Sequence, residues 1–518
     1  MNPRNPAGVD RRQFIKASAA TALAGAVVRA AAEGSTPSPV PRQPTLIADE
    51  NRRAGTTDWQ LTRVRLGKAT GVRAYAIEGY CTKQSVLAGE SIGICVSTNP
   101  AAKFTVEIFR TGYYGGRGAR LMSKIGPFDG KKQPEPVMGE KRLVECQWEP
   151  GTTLTIPSDW PSGVYLGRLT TVPEASDKPY WQSYVVFIVR DTRPADILFQ
   201  CSDNTWQAYN KWPENTSLYT DPRGSHARGV QVSFDRPYGR QSQFTAILDD
   251  PLEVGAGEGL SFEFPLYYWL EQHGYDVTYC SNSDCVEAAQ ITRCKSFLSV
   301  GHDEYWDLRQ YQAVKTAIDS GVNALWFSGN ACFGVSPLTP ASDGREKRII
   351  ERIGHYSGLT DAEFVAEEKT FTKDYKRAGP DESLIIGART VMPGNGGGDW
   401  TCTRPDHWIF EGTGMKKGES IPGLVGWEHH GAPAEIPGLE VLAEGLVWSG
   451  GVRPSHYTAT IFPGPKGNFV FNAASIFWCQ GLSSPPGHML PWSHWSRPHG
   501  PDERVQRITE NVVKRAIA

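Results

Sequence analysis

Three absences narrow the reading of this sequence before any motif is considered. Its ten cysteines include no Cys-x-x-Cys pair, which leaves no basis for a thiolate zinc site. No block of like charge stands out either: 54 Lys and Arg face 56 Asp and Glu, for a net charge of -2, and basic and aromatic residues are nowhere interleaved. Nucleic acid and anionic membrane surfaces are therefore poor partners. Beyond the N-terminus no run approaches the ~18 apolar residues of a membrane span. No internal repeat is evident.

What is present points to turns and strands. The chain carries 54 glycines, 37 prolines and 16 tryptophans in 518 residues, and that length is too great for one core, so two or more domains are expected. Asp10-Arg11-Arg12-Gln13-Phe14-Ile15-Lys16 precedes an Ala-rich apolar stretch ending at Ala30-Ala31-Ala32. Charged start, apolar middle and small-residue end have the order of a twin-arginine export signal spanning residues 1–32. Export in the folded state raises the expectation of a bound metal or cofactor and a periplasmic or extracellular location. It also permits disulfides, with Cys280, Cys285 and Cys294 close enough in sequence for one local bridge.

Residues 33–57 are rich in Pro, Ser, Thr and charge and read as a linker. Over residues 58–190, runs such as Ser91 to Val96, Phe104 to Phe109, Val164 to Leu169 and Tyr184 to Val189 are of strand length and broken by turn residues. They predict an N-terminal antiparallel β-sandwich. From 191 to 518 the pattern changes to strands alternating with helices. Asp196 to Gln200, Asp276 to Tyr279, Ser296 to Val300 and Asn323 to Phe327 read as buried strands, and Ser261 to Gly274 and Asp307 to Ser320 as helices. This alternation predicts an α/β doubly wound parallel sheet.

In such a sheet the loops after the strands collect along one edge, where ligands bind. Three polar and aromatic clusters fall there: Cys201 to Asn210, His302 to Trp306, and Ser328 to Phe333. Residues two apart on extended chain share a side, so His302 and Glu304 can face one centre while Asp303 faces away. The alternative assigns these groups to loop hydrogen bonds, with Asp303 or Asp307 capping the next helix. The connection from Tyr209 to Ser261 is too long for an ordinary strand-to-helix link and carries the aromatic, Pro-anchored stretch Val232 to Tyr238. It reads as an ordered lid able to bring a further site residue over the same edge.

The segment Ser299 to Trp306, with Asn204 to Asn210, Val232 to Tyr238 and Gly426-Trp427-Glu428, resembles the C-terminal catalytic region of the large (β) chain of N,N-dimethylformamidase over roughly residues 190 to 490. The resemblance implies a glutamine-amidotransferase-like fold and a mononuclear ferric iron held by two tyrosines and one glutamate. Matched by motif, Tyr209 and Glu304 are ligands and Tyr238, in the lid, is the second tyrosine, while Tyr267 and Tyr268 fall on the following helix as core positions. His302, Asn330 and Glu428 are implied to contact substrate or support the ligands. Phenolate and carboxylate oxygens are hard donors suited to ferric iron. The implied reaction is hydrolysis of a small amide, with homo-oligomerisation and a small accessory subunit left open.

Competing readings rest on other residues. Cys332 follows a strand as a nucleophile does in an elbow, with His355 or His302 as base, although Asn330 stands where the elbow needs glycine. His302 and Glu304 can also begin a two-histidine, one-carboxylate site with His429 or His430. A non-enzymatic reading uses Trp206, Trp306, Trp400, Trp408 and Trp427 to line a carbohydrate- or peptide-binding cleft.

Overall fold

The computed structural model describes residues 43–222, 231–240, 253–356, 377–391, 396–449, 452–488, 490–491, 496 and 498–518. The expected export signal and the first part of the expected linker lie outside the described residues. The later part of that linker is structured: Leu46–Asn51 forms a short helix, α1, and Thr56 bridges to Ala119. Asn51 explains why this stretch folds. Its side chain accepts from the backbone N–H groups of Tyr113 and Tyr114 and donates to Glu271.

Eight strands then build a sandwich: β1 (Ile77–Cys81), β2 (Ser85–Leu87), β3 (Ser91–Thr98), β4 (Lys103–Thr111), β5 (Ala119–Asp129), β6 (Pro150–Thr155), β7 (Gly163–Thr171) and β8 (Gln182–Arg190). They form a three-stranded sheet, β1-β3-β6, and a five-stranded sheet, β2-β8-β7-β4-β5. Alternation along each strand drives the packing. Phe104, Val106 and Ile108 from one sheet meet Ile92, Ile94 and Val96 from the other in a common core.

The second half centres on a seven-stranded sheet. Its members are β9 (Ile197–Cys201), β10 (Val277–Ser281), β11 (Ser296–His302), β12 (Asn323–Gly329), β13 (Glu440–Ser449), β14 (Val452–Pro463) and β15 (Phe469–Asn472). The order is β10-β9-β11-β12-β15-β14-β13. Strands β10 to β15 in that order run parallel, while β14 and β13 add an antiparallel edge. Helices cover both faces, as the near-continuous burial of the parallel strands requires. Leu198, Phe297, Trp326 and Val470 pack with Tyr311, Val314 and Ile318 of α4 (Leu308–Asp319). The alternate residues Phe199, Leu298, Val300 and Phe327 pack with Phe264, Leu266 and Leu270 of α3 (Phe264–Gln272) and with Val505 and Val512 of the C-terminal helix α5 (Glu503–Ile517). Among the described residues no helix is long and apolar enough to cross a membrane.

All ten cysteines are buried free thiols, and the Cys280 and Cys285 sulfurs lie 3.3 Å apart without a bond. Cys280 and Cys285 are two of the three cysteines whose spacing permits a local bridge. Four of the five tryptophans offered for a binding cleft, Trp206, Trp306, Trp400 and Trp427, are buried core residues.

The sandwich is joined to the α/β half by an ion pair with no solvent exposure on either side chain. Arg110 of β4 donates to both oxygens of Glu271 on α3 at 2.7 and 3.0 Å, and Tyr279 of β10 adds a hydrogen bond at 2.6 Å. Removing one partner of such a pair leaves a buried charge uncompensated. We expect Glu271→Leu to cost about 3–5 kcal/mol in urea unfolding followed by tryptophan fluorescence, and Arg110→Met/Glu271→Leu to recover part of that loss.

Candidate metal centre

The parallel strand order places β9 between β10 and β11, so the connections after β9 and β11 leave in opposite directions, the switch point at which open parallel sheets form their ligand crevice. From β9 the chain enters α2 (Asp203–Tyr209), which carries Tyr209. From β11 it delivers His302 and Glu304. The two segments are fastened together: Asn204 Nδ2 donates to the Tyr305 carbonyl at 2.9 Å, and the Glu304 N–H donates to Thr205 Oγ1 at 2.9 Å. Glu263 holds the start of α2 by accepting from the Ser202 N–H and the Trp206 indole.

Here the side chains converge. The Tyr209 hydroxyl donates to Glu304 Oε2 at 2.7 Å, and the Tyr219 hydroxyl donates to Glu304 Oε1, also at 2.7 Å. The two phenol oxygens are 3.2 Å apart, their rings stack at 4.6 Å, and the Tyr305 hydroxyl touches that of Tyr219. Beside them, His302 Nε2 lies 2.5 Å from Glu428 Oε2 and 3.3 Å from Glu304 Oε2. Ligand atoms of His302, Glu304 and Glu428 all fall within 4.8 Å of one another, all three residues buried.

The electrostatics follow from this crowding. Burial, then the Glu304 carboxylate and the neighbouring phenols, push the Tyr209 hydroxyl well above the usual tyrosine value; burial and Glu304 do the same to Tyr219. Burial lowers the His302 imidazole, but the surrounding carboxylates, Glu428 foremost, outweigh it and hold the ring well above the usual histidine value. Burial raises Glu428, and His302 opposes that shift. A cluster of hard oxygen donors excluded from water is the environment in which a cation replaces phenol and imidazole protons. The residues present therefore fit a metal: Tyr209, Tyr219 and Glu304 as an all-oxygen set, with His302 and Glu428 adjoining it.

Tyr238, expected as the second tyrosine, does not join this cluster. It lines a cavity with Asp203, Trp206, Phe234 and Arg348, one that none of His302, Glu304 or Glu428 lines. Tyr219 stands beside Glu304 in its place, and the reason lies in Arg236. That buried guanidinium donates to the carbonyls of Gln207, Asn210, Trp212 and Thr216, folding the chain after α2 back on itself. The Leu218 N–H then reaches the Ala208 carbonyl, which sets Tyr219 over Tyr209. The long connection does bring an extra residue to the edge, from a part of it that carried no motif. Tyr267 is buried core, bonded to Thr111, and Tyr268 packs edge-on against Tyr113.

The remaining candidates separate clearly. Asp303 faces away, accepting from Gln200, Asn282 and Ser299, and Asp307 caps α4 by accepting from the Arg309 N–H. Asn330 follows Gly329, which pairs with His302 across β11 and β12. Its side-chain amide is buried, with neither atom hydrogen-bonded among the described residues. His430 is committed at both nitrogens, to Asn472 Oδ1 and to the Ala331 N–H, and His429 contacts Ser455; neither enters the cluster. The Cys332 thiol is pushed well above the usual cysteine value by burial and by Glu382 and Asp303, the reverse of what a thiolate nucleophile needs. His355 packs on Phe333, its ring pulled down to about 3 by burial and Arg352.

No curated protein matches the chain. Among solved structures, a family 123 glycoside hydrolase from Clostridium perfringens, studied for glycolipid glycan hydrolysis, is 9% identical over 57% of this chain and 56% of that one, with a TM-score of 0.11. So low a score carries no argument about fold or function, and the chain spans little more than half of that protein's length. The family described as N,N-dimethylformamidase beta subunit-like, C-terminal, matches residues 105–491. Because that match spans most of the sequence and contains every member of the Tyr209, Tyr219, His302, Glu304 and Glu428 cluster, the chain belongs to the N,N-dimethylformamidase beta subunit-like, C-terminal family.

Proposed function

We propose that this protein is an exported, iron-dependent hydrolase of a small amide, built on a glutamine-amidotransferase-like domain and working with or without a small accessory subunit. The observation that carries the reading is the pair of phenol oxygens, from Tyr209 and Tyr219, each 2.7 Å from a different oxygen of one buried glutamate. Tyr209, Tyr219 and Glu304 would hold the iron. Bound there, iron supplies Lewis acidity that polarises an amide carbonyl and acidifies water near neutral pH. His302 Nε2 and Glu428 Oε2, 2.5 Å apart, would act as a pair that takes a proton from an attacking water and returns it to the departing amine nitrogen. The Asn330 amide, buried and without a hydrogen bond among the described residues, would donate to the carbonyl oxygen and orient it. Phe262, packed beside His302, and Trp427 belong to one buried apolar cluster, which would keep bulk water from the reacting groups.

A second reading uses the His302, Glu304 and Glu428 set as the ligands themselves, since these three atoms also lie close enough to hold one ion. Colour separates the two, because a tyrosinate ligand gives ferric iron a charge-transfer band and a histidine-carboxylate set does not. We expect the purified chain to contain stoichiometric iron and to show that band. Tyr209→Phe, Tyr219→Phe and Glu304→Ala should each lose the band and most of the metal, while Tyr238→Phe keeps both. Absence of iron, or full retention in Tyr219→Phe and Glu304→Ala, would sink the proposal.

Removing the metal supplies an independent check. Chelation should abolish hydrolysis of N,N-dimethylformamide, measured as dimethylamine release, and added iron should restore it, whereas alkylation at Cys332 under conditions that leave iron bound should not reduce the rate. His302→Gln and Glu428→Gln should retain iron and the band while kcat falls about 100-fold or more, the range expected for loss of a proton-transfer group.

A further inference from the structure

Glu258 belongs to neither ligand set, yet it completes the surroundings of His302. Its Oε2 lies 3.6 Å from His302 Nδ1, across the ring from the edge that faces Glu428 and Glu304, and both side chains are 1% exposed. Two aromatic rings pack against the same imidazole: Tyr209, tilted, at 5.1 Å between ring centres and Phe262, edge-on, at 6.1 Å.

The backbone that carries Glu258 is fitted closely to this task. In the run Val254-Gly255-Ala256-Gly257-Glu258-Gly259, Gly257 and Gly259 press against the indole of Trp206, in the helix that also bears Tyr209. A Cβ at Gly257 or Gly259 would sit 2.9 or 2.8 Å from that indole, and at Gly255 it would strike the Tyr184 backbone. Gly255 and Gly257 also adopt φ of 93° and 68°, conformations open to glycine and costly for other residues. Every second residue is thus kept bare so that the chain can press against the core, and the one long polar side chain in the run is aimed at His302.

Resting on the amidase reading above, we propose that Glu258 is a positioning residue that fixes the His302 ring so that Nε2 faces Glu428 and Glu304. A carboxylate facing Nδ1 at 3.6 Å, an ion-pair distance longer than a hydrogen bond, attracts that nitrogen's proton and so favours one edge of the ring turned toward the reacting groups. Without an acceptor there, the imidazole can turn over and place carbon where Nε2 now stands.

The test combines crystal structures with kinetics of Glu258→Met, which keeps length and volume but removes the acceptor, and of Glu258→Ala as a second variant. The His302 ring should be turned over or split between two orientations in both, with iron content and the tyrosinate band unchanged. For N,N-dimethylformamide, kcat should fall about 10- to 100-fold, the usual loss for partners of this kind, at unchanged KM. Glu258→Gln, whose amide oxygen still accepts, should restore a single orientation and most of the rate. A His302 ring that keeps its wild-type orientation in either acceptor-free variant overturns the proposal. If wild-type protein hydrolyses no amide while the ring still turns in these variants, the positioning role stands and the amidase reading fails.

Discussion

Three buried carboxylates, Glu258, Glu304 and Glu428, gather round one imidazole, and the arrangement of the site depends on how their charge is balanced. Taking a carboxylate out of water costs several kcal/mol per ion even after relaxation, and a single imidazolium can offset one such charge. Folding would tolerate the cluster more easily if two of these groups were apolar. Their retention, with two phenols hydrogen-bonded to the same glutamate, has a physical rationale if a cation supplies the missing charge. This is why the proposed iron site and the proton-handling pair cannot be separated into independent features: Glu304 belongs to both, bonded to Tyr209 and Tyr219 on one side and lying near His302 on the other.

A site of this kind needs rigid walls, because small displacements would leave buried charge unpaired. The sheet provides them by bringing β9 and β11 side by side, and the side-chain-to-backbone bonds of Asn204 and Thr205 close the gap between the two loops. Arg236 does for the returning loop what a helix would do elsewhere, gathering four carbonyls that have no strand partner. Even the sandwich takes part. Arg110 reaches from β4 to Glu271 on α3, and the α3 region continues back through Glu263 to the start of α2. Packing of the first half is therefore connected to the position of Tyr209 by a short chain of buried polar contacts.

Much of this was legible from the sequence, and the rest was hidden for identifiable reasons. Apolar runs and their glycine stops located β9, β10, β11 and β12 and the helices α3 and α4, because strong periodicity survives tertiary context. The end of a parallel strand located His302 and Glu304. Tyr219 was missed because it is an ordinary residue of a loop, placed by Arg236 through backbone carbonyls that carry no side-chain signature; Tyr238 was preferred because aromatic and proline neighbours made its stretch look anchored. It is anchored, but to a different cavity. Glu258 had a readable signal in the alternating glycines around it, which mark close backbone approach. That signal says where the chain is pressed, and leaves the target of the carboxylate to be found in three dimensions. The helix α1 fell in a stretch whose composition is that of a linker, and it folds through Asn51, whose partners lie far along the chain.

The triplet His302-Asp303-Glu304 shows how one strand end can serve stability and chemistry together. His302 and Glu304 project into the crevice, while Asp303 turns back to accept hydrogen bonds from Gln200 of β9, Ser299 of β11 and Asn282 after β10. Asn282 in turn accepts from the Asn204 N–H and donates its own N–H to Asp203, so the residue that faces away also steadies the helix that carries Tyr209. A shift of one residue in the pairing of β11 would exchange these roles, turning Asp303 into the crevice and leaving His302 and Glu304 against a wall of donors arranged for one carboxylate. The register of a buried parallel strand is thus fixed by the polar network behind it as well as by its apolar residues. For that reason the geometry at the crevice can be held without any of its own groups being used up as braces.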